Sequence, residues 1–298
     1  MSSRTRPPFR AARAPRTVVG LVGGAVLAMG AVLAVGGCSS SDQPSAGATS
    51  SSPSVAPTSS GPAPPVARPA PTPPDRACYA LTYAQAIAPT TARRPVPCSR
   101  AHTAATYAVG RLHPVVDGHL LAVDSRRVQA EVARACPQRF GSYVGGALDD
   151  RRLSMLRPVW FTPTVQQSGA GAEWYRCDAV ALAGDDRLAT LSGTARGVLD
   201  TSTGRDHYGM CGTAQPGAQN FHRVICSDAH SWRAVRVVAF ADGPYPGAGA
   251  VRAAGDGPCK DAGAAASGGA LDYAWGYEWP SAQQWRSGQH FGRCWVPG

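Results

Sequence analysis

Lysine is nearly missing from this chain of 298 residues: Lys260 is the only one among 29 basic residues. Arginine carries the rest, alongside 34 glycines and 26 prolines, a usage that follows from a GC-rich coding sequence. A basic stripe interleaved with stacking aromatics, which a nucleic-acid binder needs, is absent. Nucleic acid is therefore not an expected partner. Catalytic signatures are missing too. There is no Gly-x-Ser-x-Gly, no His-Glu-x-x-His and no phosphate-cradling glycine loop of the Walker type. Those absences exclude the corresponding hydrolase, zincin and nucleotide-binding readings, and no enzyme, cofactor or metal is expected. Between Ser39 and Arg76 large apolar side chains are almost absent, so this stretch cannot bury enough surface to offset the entropy of ordering it.

What is present begins with a basic segment ending at Arg16 and an apolar run from Thr17 to Gly37. The run closes on Leu33-Ala34-Val35-Gly36-Gly37-Cys38, small residues before a cysteine, in the manner of a bacterial lipobox. Residues 1–37 are read as a lipoprotein signal peptide and Cys38 as the lipidated first residue of the mature chain. The competing reading is an uncleaved anchor, because about 20 apolar residues can span a bilayer. Removing the five arginines up to Arg16 leaves 24 basic residues against 19 acids, a mild net charge of +5. Residues 38–76 are read as a disordered Ser/Pro/Thr-rich linker, with an r.m.s. span of roughly 35 Å as a flexible coil. A diacyl anchor supplies enough buried chain for stable attachment. The expected location is the extracytoplasmic face of the bacterial cell membrane, with the lipid bilayer as one partner.

The remaining sequence repeats itself. Cys98-Ser99-Arg100-Ala101-His102 is echoed by Cys226-Ser227-Asp228-Ala229-His230. Cys136 and Cys259 are each followed, nine residues on, by Gly-Gly-Ala-Leu-Asp ending at Asp149 and Asp272. Pro163, Gln166, Gln167, Gly171, Arg176 and Cys177 align without a gap on Pro280, Gln283, Gln284, Gly288, Arg293 and Cys294, with Trp174 opposite Phe291. Cys78 and Cys211 lead the two sets. The chain therefore divides into repeat 1 (77–184), a linker (185–206) and repeat 2 (207–298).

Within repeat 1, Thr106–Val109 reads as a strand. Val128, Val132, Ala135 and Phe140 recur at helical spacing over Ser125–Tyr143, with Ser125 or Asp124 as N-cap. Leu153–Phe161 reads as a strand whose Pro158 suggests an edge. Pro163–Gln167 reads as a short helix with proline in its first turn, and Trp174–Leu182 as a final strand. Leu188–Leu191 is a further candidate strand. In repeat 2 a strand over Ala234–Phe240 alternates apolar and polar residues at its start. Ala, Gly and Ser there replace the larger apolar residues of the helix. The fold class is α+β: two disulfide-stapled repeats, each a small, mostly antiparallel sheet with one main helix.

Nine cysteines in an exported chain, less Cys38, leave an even eight. Eight cysteines allow 105 pairings. The simplest frame that treats both repeats alike is Cys78–Cys98, Cys136–Cys177, Cys211–Cys226 and Cys259–Cys294. The alternative is a Cys₂His₂ metal set of Cys98, His102, Cys226 and His230. His102 and His230 are expected to bond backbone at the turn into a strand, or else to contribute to a binding surface. His113, His119, His207, His222 and His290 lack counterparts and are read as solvated. Asp149 and Asp272 suit a turn or cap. Tyr273, Trp275, Tyr277, Trp279, Trp285, Phe291 and Trp295 read either as core in place of scarce aliphatics or as a platform, with Trp279 and Trp285 its candidate contacts.

Val96-Pro97-Cys98-Ser99-Arg100-Ala101-His102 and the segment from Trp279-Pro280 to Cys294 resemble the septum-formation domain family of actinobacterial lipoproteins and membrane proteins, here in two tandem copies. The likeness runs from about Cys78 to Trp295. It implies a link to cell division or envelope assembly; with the tether, the cysteine frame and the missing catalytic set, the expected function is a non-enzymatic binding or scaffold module, with an envelope or divisome protein or a wall polymer as partner. The alternative is a cell-wall glycan-binding or hydrolytic protein using the aromatics with Asp272 or Glu278.

Overall fold

The computed structural model describes residues 70–298. The expected lipidation site Cys38, the signal segment and the tether up to residue 69 lie outside the described residues. The first half supplies strands β1 (Cys78–Tyr79), β2 (Ala104–Arg111), the hairpin β3 (Val115–Val116) and β4 (His119–Leu120), β5 (Leu156–Phe161), β6 (Trp174–Gly184) and β7 (Arg187–Leu188). The second supplies β8 (Met210–Gly212), β9 (Arg223–Ile225), β10 (Trp232–Ala239), β11 (Gly276–Glu278) and β12 (Phe291–Pro297). Between them run helices α1 (Tyr83–Ala86), α2 (Arg126–Val144), α3 (Leu148–Arg152), α4 (Val165–Gly169), α5 (Ser202–His207), α6 (Ala248–Ala253), α7 (Asp256–Ala266) and α8 (Ala282–Arg286).

The two sheets are built alike. The first has the order β1-β2-β6-β5, with β7 folding back on β6. The second has β8-β10-β12-β11, with β9 beyond β8. Every pair is antiparallel. β2 bulges between Thr106 and Ala108 against β6, and β10 bulges between Ala234 and Arg236 against β12, four residues after the respective histidines. Val96 bridges Cys78, as Val224 pairs with Cys211 on β9. The α+β class holds, and the four disulfides join Cys78 to Cys98, Cys136 to Cys177, Cys211 to Cys226 and Cys259 to Cys294. Each closes a loop that contributes about 3–4 kcal/mol in the chain-entropy picture.

Local chemistry explains the elements. Ser125 caps α2 by accepting from the Val128 N–H, and Val128, Val132, Cys136, Phe140 and Tyr143 form the buried stripe. Pro158 sits on β5, which pairs only with β6 and so tolerates a missing donor. The expectation for Pro163 needs correction. It precedes α4, and Thr164 is the N-cap; Thr164 N–H donates to Gln167 Oε1 at 2.9 Å while Gln167 N–H donates to Thr164 Oγ1 at 3.2 Å. Ser281 and Gln284 repeat this capping box on α8. The recurring Gln167 and Gln284 are therefore cap residues.

In the second half α7 does form, from Ala, Gly and one buried cysteine. A Cβ on Gly255, its N-cap, would lie 2.1 Å from the Tyr277 ring. The aromatics of the neighbouring sheet occupy the space that large helix side chains fill in the first half. The further strand is Arg187–Leu188, slightly earlier than expected, with Ala189 N–H donating to Ala181 O.

The halves share one core. Leu153 to Met155 pairs antiparallel with Tyr208 to Met210: Met155 N–H donates to Tyr208 O and Met210 N–H to Leu153 O, both at 2.7 Å. Phe140, Tyr143, Leu156 and Ala181 pack in one cluster with Met210, Ile225, Ala234 and Trp295. Residues 185–206, expected as a linker, contribute Leu191, Ala195 and Leu199 to that cluster. A shared core should unfold as a unit. Urea unfolding of the chain is expected to show one transition, seen alike by tryptophan reporters in either half. Leu199→Ala should shift that whole transition by about 2–5 kcal/mol; two separable transitions would show independent halves.

Candidate functional site

The two histidine turns are scaffold. Cys98 and Cys226 are oxidised, which removes both thiolates from the Cys₂His₂ alternative. His102 is 2% exposed. Its Nδ1 lies 2.7 Å from Arg100 O and its Nε2 2.8 Å from Gly193 O. With a backbone carbonyl oxygen against each ring nitrogen, neither nitrogen is open to a metal. His230 keeps the local half of this arrangement, with Nδ1 2.8 Å from Asp228 O. The repeated histidine thus ties the turn before β2 or β10 to the carbonyl two residues back.

The expected binding surface is not assembled. His102 is buried, and so is Trp285, whose Nε1–H donates to Gly243 O at 2.7 Å and whose ring stacks on His290 at 4.5 Å. Their burial overturns the binding-surface alternative for both: His102 bonds backbone at the turn, as its first reading had it, and Trp285 is core. Trp295 is fully buried, while Trp279 is 38% exposed with the Arg252 guanidinium 5.3 Å from its ring. The aromatics mostly fill the core, as one of the two readings had it. Asp272 lies in an exposed bend. Asp149 is in the first turn of α3 beside Arg152; the cap is made by Asp150, which accepts from Ala147 N–H at 2.7 Å. Asp200 accepts from Gly146 N–H at 2.8 Å, and a Cβ on Gly145 would meet its carboxylate at 2.4 Å. That approach explains the Gly-Gly pair in the first half.

The chemically richest place is one the sequence reading did not single out. A cleft of about 200 Å³ opens between the halves, floored by Met155, Leu182 and Met210. Arg157 of β5, Arg223 of β9 and Arg293 of β12 converge on it, with Gln284 and Gln289. Glu278 forms an ion pair with Arg223 and lies 3.8 Å from Arg293 Nη1. Asp185, on the rim, contacts His222 at 3.1 Å. Arg157 Nη1 donates to Ser154 O and Leu156 O, and Arg293 Nε to Arg152 O. Burial, and then repulsion from neighbouring arginines, pulls the Arg157 and Arg293 guanidiniums down to about 10. Desolvation lowers Arg223 as well.

The aligned repeats did carry a signal for this cleft. Arg293 corresponds to Arg176, but Asp178 is replaced by Trp295 and Phe161 by Glu278. In the first half Arg176 is 3% exposed, bonds both oxygens of Asp178, and lies 3.7 Å from the Tyr79 ring centre and 4.6 Å from that of Phe161. Thr106 Oγ1–H donates to Asp178 as well. Burial raises the Asp178 carboxyl, against the pull of Arg176 and Thr106. That site is closed on itself; its counterpart is not.

The described region is thus a disulfide-stapled α+β body made of two similar halves with one core. Residues 122–294 match the family model described as septum formation, more than half of the chain, and the chain belongs to that family. The match runs across the junction, from just before α2 to Cys294 at the heart of β12. No curated protein and no solved structure matches the chain.

The histidine geometry sets unequal costs. His102→Ala removes a fully buried ring and its polar contacts with the Arg100 and Gly193 carbonyls, and should lower unfolding stability by about 2–4 kcal/mol. His230→Ala removes one bond at a half-buried site and should cost about 1 kcal/mol. Denaturant unfolding of both variants checks this, and equal losses would contradict the assigned roles.

Proposed function

We propose that the protein is a membrane-anchored extracytoplasmic binding module that acts in cell division or envelope assembly without catalysing a reaction. The observation that carries this reading is the septum formation match over residues 122–294. Four disulfides suit a compartment where thiols oxidise and disulfides persist. The apolar run ending at Gly37-Cys38 supplies a lipid anchor, and the Ser/Pro/Thr stretch after it a spacer that holds the folded part away from the bilayer. The cleft between the halves offers guanidinium and carboxamide donors, groups that bind and orient a ligand. The partner is then an envelope or divisome protein or a wall polymer.

Two measurements test the reading. Cys38→Ala should move the protein from the membrane fraction to the soluble fraction and abolish acyl labelling. A fluorescent fusion of the unaltered chain should concentrate at the division site. Retention of the Cys38→Ala variant in the membrane would argue for an uncleaved anchor, and uniform distribution of the fusion would argue against a role in septation.

A further inference from the structure

The cleft between the halves is short of negative charge. Three guanidiniums face it, from strands of both halves. Of the two nearby carboxylates, Glu278 is committed to Arg223, and Asp185 stands on the exposed rim beside His222. Among the described residues, Arg293 makes its only hydrogen bond through Nε and Arg157 only through Nη1, and the buried Nε of Arg223 has no acceptor. A buried donor without an acceptor is costly unless a ligand or water completes it. The first half shows what completion looks like. Its arginine at the same position, Arg176, has a bidentate carboxylate and two flanking rings, whereas Trp295 stands where a second-half carboxylate would be.

A neighbouring groove extends the positive surface. Arg151 and Arg152 line it with Arg157, Gln289 and Arg293, so the two depressions share three residues. Guanidiniums arriving from three separate strands do not lie in a carboxylate's plane by construction. They suit an acceptor with oxygens in several directions and more than one charge. The cleft has room for one such group, and the groove for what is attached to it.

We propose that the cleft between the halves binds a phosphate group through Arg157, Arg223 and Arg293. Burial first, and then their own repulsion, lower Arg157 and Arg293 below the usual guanidinium range, and a bound anion relieves that repulsion. Glu278 acts as an internal competitor that holds Arg223 until a ligand arrives. The site does not depend on where in the envelope the protein works, so it stands or falls separately from a role in septation.

The test uses the full-length chain in detergent, with radiolabelled inorganic phosphate in equilibrium dialysis at constant ionic strength maintained with chloride. Saturable binding of one phosphate per chain is expected. Arg223→Gln should weaken it about tenfold, the scale of one lost charge-assisted hydrogen bond. Glu278→Gln and Asp185→Asn should both tighten it, because each removes a competing negative charge while leaving a polar side chain of the same shape. A purely structural ion network would not tighten on losing Glu278. Absence of saturable binding overturns the proposal, as does weakening by Glu278→Gln and Asp185→Asn together with unchanged unfolding midpoints. Competition by unlabelled compounds identifies the source. Displacement by glycerol 3-phosphate alone assigns the site to a phosphate monoester, displacement also by glycerophosphoglycerol to a diester headgroup, and displacement by neither to free phosphate; each supports a phosphate site.

Discussion

The short antiparallel contact between Leu153–Met155 and Tyr208–Met210 is the constraint on which the rest of the molecule depends. Each half alone is a small antiparallel sheet with one main helix or helix pair and few large aliphatics. Small units of this kind bury too little apolar surface to be robust. The two hydrogen bonds fix the edge of one sheet against the other, and side chains from both then fill a single cluster around Leu199, Met210 and Trp295. The disulfides lie within the halves and shorten their loops, whereas the junction makes the halves one body. It also creates the cleft, because Arg157 lies two residues beyond Met155, at the start of β5.

The likeness of the two halves, and the places where they differ, organise the pattern of polar residues. Strand order, bulge position, capping box, disulfide pairing and histidine turn recur in both halves. These features satisfy backbone groups or shorten loops, needs that any copy of the fold shares. The differences fall on side chains that meet a neighbour peculiar to one half. Arg176 faces the interior of its own half and is neutralised there, whereas Arg293 faces the other half and reaches the carbonyl of Arg152. A buried ion pair is weak support for stability but strong support for a defined arrangement. The first half uses one to close its core, and the second leaves the equivalent arginine at the junction.

Much of the framework was legible in the sequence for physical reasons. Cysteine pairing followed from treating both repeats alike, and α2 from the 3.6-residue recurrence of Val128, Val132 and Phe140 behind Ser125. Pro158 marked an edge strand because a central one needs its donor. The junction was not legible. It pairs two three-residue segments that have no periodic signature, and residues 185–206 looked like a linker because their buried Leu191 and Leu199 are isolated among polar and glycine neighbours. The backbone bond of His102 was legible, but the alternative that His102 and Trp285 form a binding surface could not be settled from sequence, because burial depends on what packs over a residue. Gly193 and Gly243, both distant in sequence, supply the carbonyls that hold these rings inside. The cleft was half legible: the exchanges of Asp178 for Trp295 and Phe161 for Glu278 were visible on alignment, but not that Arg157 and Arg223 would join Arg293.

The placement of charge at the junction is difficult to explain as packing alone. Replacing a buried ion pair by well-packed apolar groups is often neutral or stabilising, so polar groups at an internal seam are not kept for stability as such. The chain has an apolar solution at hand, since Phe161 already occupies the Glu278 position in the first half. Instead, Glu278 is held at the seam with an oxygen that lacks a hydrogen-bond partner, next to three guanidiniums that repel one another. A seam built from strands of both halves is also the most rigid place to hold separated donors, because each strand is fixed by its sheet and β12 additionally by Cys259–Cys294. Rigid, under-neutralised donors bind an anion without the entropic cost of ordering flexible side chains. The cleft therefore couples the two features that set this fold apart, its doubled sheet and its single core, in one site.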